Sequence, residues 1–185
     1  MGFMMSIVSA GTVILQTAIN NLGYLIIAGH TAARKLNSFC MMPGMTISMA
    51  LSTFVSQNKG ANQGYRIRKA VRYANILVIC WGIIISVFLF FAAPTMVKIL
   101  SGSTESTVIY NGAKYLIINA PFYGILGILL NLRNSLQGLG EKLIPLVSSI
   151  IELLGKILFV ILLIPSLEYF GVIICEPVIW CFMCI

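Results

Sequence analysis

The stretch TFVSQNKGANQGYRIRKAVRYA, residues 53–74, leaves one apolar segment, passes a glycine-containing turn and enters another. It holds five of the chain's 12 lysines and arginines (Lys59, Arg66, Arg68, Lys69 and Arg72) and no acid. A membrane-spanning hairpin marks its cytoplasmic turn in this way, because lysine and arginine are retained on the cytoplasmic side. A nucleic-acid surface also concentrates basic residues. Between two apolar limbs, however, the charges set orientation, and attraction to anionic headgroups is a by-product.

The flanking sequence supports the membrane reading. Of the 185 residues, 59% are hydrophobic and 9% charged, with a mean hydropathy of +0.98. A soluble domain carries about 25% charged residues, and one of this length has too little interior for so much apolar surface. Residues 1–30, 36–58, 73–97 and 115–132 contain no Asp, Glu, Lys or Arg. About 20 helical residues cross a bilayer core, so each run spans or nearly spans it. The first run lacks the basic start of a secretory signal.

Lipid admits helices or closed barrels. Long apolar runs without period-two alternation select helices. The expected fold is an all-α membrane protein, a polytopic bundle of about six transmembrane helices. These are placed at residues 2–25, 32–57, 68–92, 108–137, 144–164 and from 172 onward, the last cut short at 185. Pro43 and Pro121, the most interior prolines, predict kinks. Counting basic residues in alternate loops places the 53–74 turn in the cytoplasm. That side includes Arg133 and Lys142; the other has Arg34, Lys35, Lys98 and Lys114.

The chemistry available is narrow. The chain has no aspartate and one histidine, so a Ser-His-Asp set cannot form within it, and no phosphate loop is present. An enzyme is not expected, nor is a bound cofactor. Cys181 and Cys184 share the spacing of a metal pair but lack further ligands nearby. No metal site is expected, and the five cysteines read as small buried apolar residues.

Three sets of residues are candidates for function. Glu152 and Lys156 lie four apart in the fifth helix, acid first, which is the favourable order. Charges within a span are costly and face the bundle or a watery cavity. The pair is either a coupling-ion or substrate-sensitive site, or a structural salt bridge. On the second helix, Met41, Met45, Met49, Thr53 and Gln57 recur every four residues, as do Ser48, Ser52 and Ser56. Flexible methionines suit varied ligands, so Met45, Met49, Ser52 and Thr53 are substrate-cavity candidates. Gln16 and Asn20, one turn apart on the first helix, are placed on the same cavity. Ordinary packing between spans explains the same pattern. Glu176, before Pro177, is read as lying in the outer interface.

GTVILQTAINNLG (11–23) and AGHTAARKLNSFCMMPGMTISMALSTFVSQNKGA (28–61) resemble the seventh and eighth helices of multidrug and toxic compound extrusion (MATE) transporters. YRIRKAVRYA (65–74) continues the pattern. NSLQGLGEKLIPLVSSIIELLGKILF (134–159) is similar to the family's tenth-to-eleventh helix junction, and GVIICEPVIW (171–180) to the start of its last helix. The resemblance implies a twelve-helix antiporter of two six-helix lobes, with residues 1–185 forming most of the C-terminal lobe. Such proteins exchange protons or sodium ions for organic, often cationic, compounds across the plasma membrane. The partners implied are the lipid bilayer, a small organic substrate and the missing N-terminal lobe, with no nucleic acid. Some branches carry cation-binding carboxylates on helices seven and ten. The matching segments here have none, which resembles a branch whose essential aspartate lies in the other lobe. Two alternatives are a transporter of the wider flippase superfamily moving a lipid-linked or other specific substrate, and a non-transporting membrane remnant.

Overall fold

A computed structural model describes the backbone from Gly2 to Cys184 and side chains from Ser6. Met1 and Ile185, the ends of the expected 1–185 domain, lie outside the described residues. Those residues are overwhelmingly helical and include no strand.

Helix α1 (Gly2–Asn20) stops at the Asn20-Asn21-Leu22-Gly23 sequence. Gly23 has φ 99°, a conformation open to glycine and strained for other residues. Helix α2 (Tyr24–Gly60) starts immediately after it. The expected boundaries at 25 and 32 are therefore wrong. No proline or charge marks this break, so hydropathy runs across it. Arg34, counted with the loop after the first helix, lies well inside α2.

The tip of the basic hairpin is shorter than its charges imply. Backbone N–H groups of Ala61 and Asn62 bond to the carbonyls of Gln57 and Lys59. Asn62, with φ 53°, adopts the left-handed geometry that asparagine tolerates. Helix α3 (Gly64–Ser101) then begins inside the basic stretch, so Arg66, Arg68, Lys69 and Arg72 are helical. Its carboxyl end closes on Gly102, with φ 64° and its N–H on the Lys98 carbonyl, a glycine stop.

Helices α4 (Ser106–Asn119) and α5 (Tyr123–Gly138) form one long unit, joined by a tight 3₁₀ turn at Ala120–Phe122 that includes Pro121. At Pro43 the helix continues unbroken. Helix α6 (Leu143–Leu158) widens into a π turn at Phe159–Leu163 and leads into α7 (Ile164–Cys184).

Within α7, Glu168 has φ 48° and ψ −131°, and the chain folds back there. A methyl group on Gly155 would sit 3.0 Å from Ile179, although a straight helix would separate these residues by about 36 Å. The last two limbs are thus antiparallel. Among the described residues four helical units are long and apolar enough to cross a membrane: Tyr24–Gly60, Gly64–Ser101, Ser106–Gly138 and Leu143–Cys184, the last containing this reversal. Ser6–Asn20 is apolar but shorter.

Helix α2 packs on α3, α4 and α5, while α1 packs on α6. The shared core includes Leu15, Ile19, Leu89, Val97, Leu116 and Ile173. Gly29 and Gly112 bring α2 and α4 together: a methyl group on Gly29 would lie 2.5 Å from the Val108 carbonyl oxygen. Small residues permit this approach where the surrounding solvent is itself apolar. The outside of α3 exposes Ile83, Ile84, Val87, Phe90 and Phe91, a surface suited to lipid rather than water. The cysteines only partly follow expectation. Cys175 is buried, but Cys80 and Cys184 are exposed, which apolar side chains at lipid contacts can be.

Candidate functional site

The methionine and serine rows of α2 separate in three dimensions. Met41 and Ser48 turn inward. Ser48 donates to Asn131 Oδ1 at 2.7 Å, and Asn131 Nδ2 donates to Asn75 Oδ1 at 3.0 Å. This polar bridge ties α2, α5 and α3 together and satisfies groups that would be costly unpaired in the bundle. Met45, Met49, Thr53 and Gln57 are exposed, and Ser52 is half-buried. Met42 and Thr46 widen the exposed stripe. Gln16 and Asn20 are exposed on α1 and bond to each other at 3.0 Å.

Glu152 and Lys156 are brought together, but not alone. Lys156 Nζ donates to Glu152 Oε1 at 2.9 Å. Arg133, from α5, reaches Glu152 Oε2 at 3.4 and 3.5 Å and donates to the Ser148 hydroxyl at 2.9 Å. Arg133, counted with the loop after the fourth helix, lies within α5. Only 5% of the Lys156 side chain, 11% of Glu152 and 14% of Arg133 remain exposed. Two cations therefore share one carboxylate inside the bundle.

A second charged cluster was missed. Arg34 Nη1 donates to Glu176 Oε1 at 2.8 Å, and the Tyr115 hydroxyl donates to Oε2 at 2.9 Å. Glu176 is buried in the bundle, with both carboxylate oxygens engaged. His30 lies beside it, edge-on to Tyr115 and Tyr169, with Nδ1 3.2 Å from the Tyr169 hydroxyl. Asn119 Nδ2 donates to the Tyr115 and Ile173 carbonyls. The available signal was an Arg-Lys pair between two apolar runs and one isolated acid within another.

The five basic residues of the hairpin are all exposed, and none forms an ion pair among the described residues. Lys59 Nζ donates to the Leu139 carbonyl, tying the end of α2 to the α5–α6 turn. Arg66 lies 5.8 Å from the Phe54 ring centre, and Lys69 the same distance from Tyr73. Among the described residues no group of three or more His, Cys, Asp or Glu is placed to hold a metal. The assembled chemistry is ion pairing and hydrogen bonding inside the helix bundle.

The MatE family model matches residues 1–162. The "Probable multidrug resistance protein YoeA" of Bacillus subtilis (strain 168) is 25% identical over 177 residues, covering 94% of this chain and 38% of the relative. A solved MOP superfamily transporter from Pyrococcus furiosus superposes with a TM-score of 0.84 at 12% identity, over 98% of this chain and 40% of that one. The fold is thus that of a MOP transporter. The chain spans about two fifths of the length of these relatives.

Proposed function

The chain belongs to the MatE family, and from that premise we propose that it is one six-helix lobe of a twelve-helix plasma-membrane exporter. The whole protein would expel organic, often cationic, compounds in exchange for protons or sodium ions. The basic hairpin would face the cytoplasm. The other lobe, absent from these 185 residues, would close the cavity.

The observation that carries this reading is the contrast between two exposed faces. Along the middle of α3, from Ile83 to Phe91, the large exposed side chains are aliphatic and aromatic, as lipid requires. Along α2 it combines Met42, Met45 and Met49 with Thr46, Thr53 and Gln57. A face both soft and polar suits a watery cavity that accepts varied organic ligands. Met45 and Met49 would contact substrate, with Ser52 and Thr53 supplying hydroxyls; Gln16 and Asn20 would extend the cavity along α1. Rocking of the two lobes would expose it alternately to each side.

Full-length protein in liposomes, loaded with a cationic dye, tests the proposal. Efflux should stop when both the proton and sodium gradients are collapsed; efflux that persists without either gradient would rule out coupled exchange. Met45→Ala and Met49→Ala should change dye preference by a few-fold, since each removes about one hydrophobic contact's worth of affinity. A second reading, a flippase-type transporter of an anionic or lipid-linked compound, draws support from Arg133 and Arg34 lying within the bundle.

A further inference from the structure

Among the described residues within the bundle, Arg34, Arg133 and Lys156 pair with Glu152 and Glu176 alone. The imbalance has a definite location. Both oxygens of Glu176 are engaged, by Arg34 and by Tyr115. Glu152 must serve Lys156 and Arg133 together, so the surplus positive charge resides in the Arg133–Glu152–Lys156 cluster.

Its hydrogen bonding is also incomplete. A lysine ammonium has three N–H groups, and Lys156 uses one, toward Glu152. Arg133 Nε is buried without a partner. Its two contacts with Glu152, at 3.4 and 3.5 Å, are longer than the 2.7–2.9 Å of a close charge-assisted bond. The neighbouring hydroxyls do not supply negative charge, and Glu176, which also acts on Lys156, has both oxygens bonded elsewhere. Ser148 accepts from Arg133, and Ser149 donates to the Pro145 carbonyl. On the α1 side the Lys156 stem lies against Gly11. An unbalanced charge at membrane depth is expensive unless a counter-ion joins it.

We propose that Arg133 and Lys156 bind the carboxylate or other oxyanion of a mobile organic compound, with Glu152 holding the two cations in place between binding events. The inference rests on the transporter reading and changes the sign of what this site takes. Two cations on one carboxylate repel sodium and a purely cationic drug. They accept a zwitterion or an acid, whose anionic group completes the pairing while its apolar part meets the bundle. Glu152 is then a positioning residue that competes with the ligand for the same two cations.

The test is equilibrium binding to purified full-length protein in nanodiscs, with no gradient imposed, so it is independent of coupled transport. The probes are a rhodamine bearing a free carboxylate and its methyl ester, followed by fluorescence anisotropy. The acid should bind about tenfold more tightly than the ester, as one charge-assisted pair supplies. Arg133→Gln and Lys156→Met should each bring that ratio close to one. Unchanged affinity for the ester would show that the fold survives. Glu152→Gln removes the competitor and should raise the ratio. Equal binding of acid and ester by the unaltered protein would overturn the proposal, as it would if an acidic side chain elsewhere in the protein filled the site. A preference for the acid that survives both cation substitutions would also overturn it.

Discussion

Both oxygens of Glu176 are taken, one by Arg34 and one by the Tyr115 hydroxyl, and the residues that take them come from α2 and α4. A buried pair of this kind adds little net stability compared with a well-packed apolar substitute, but removing one partner strands the other. Glu176→Gln should therefore cost about 3 kcal/mol, read as a lower unfolding temperature of the full-length protein in detergent. Replacing both partners, with Arg34→Met and Glu176→Leu, should recover most of the loss. If the double variant were as unstable as the sum of the two single ones, the residues would not act as a pair. Neither partner was legible as one. They are 142 residues apart, and residue type and spacing carry no information about a contact made across a bundle. Glu152 and Lys156 were legible because four residues along a helix fix their proximity. Arg133, which alters the charge of that site, comes from another helix.

Helix length and helix contact were legible to different degrees. The uncharged runs locate helical material, since lipid leaves the backbone few alternatives. They give poor ends. Helix α2 begins at Tyr24 and α3 at Gly64, because an asparagine–glycine break and a run of charged residues each leave hydropathy a misleading guide to helical geometry. Contacts between elements depend on glycines whose roles differ although their residue type is the same. At Gly29 an added methyl group meets the Val108 carbonyl, while at Gly44 it meets nothing within 4 Å. Gly29→Ala should destabilise the α2–α4 crossing by about 1–3 kcal/mol. Gly44→Ala should be neutral, or stabilising by up to about 1 kcal/mol through helix propensity. Thermal unfolding of the two variants side by side checks this. Equal losses would mean that the crossing yields easily and that neither glycine is needed for close packing.

The molecule as a whole exposes a lipid-compatible surface around α3 and one strongly basic end. Neutralising Arg66, Arg68, Lys69 and Arg72 together with glutamine should leave the full-length protein in mixed orientations, because the excess of basic residues that retains the turn in the cytoplasm is lost. A protease site inserted at residues 61–63 and probed from each side of the membrane would report this. A single unchanged orientation would assign topology to other segments. The reversal at Glu168 bears on how such a protein is made. Its two limbs meet without an intervening soluble loop, and the turn residue is a lone exposed carboxylate. Between the two limbs no hydrophilic segment is long enough to wait in water while the second is inserted. Residues 143–184 would then enter the bilayer as one insertion unit, with Glu168 the charged residue carried at the turn and Glu152, Lys156 and Glu176 carried within the limbs.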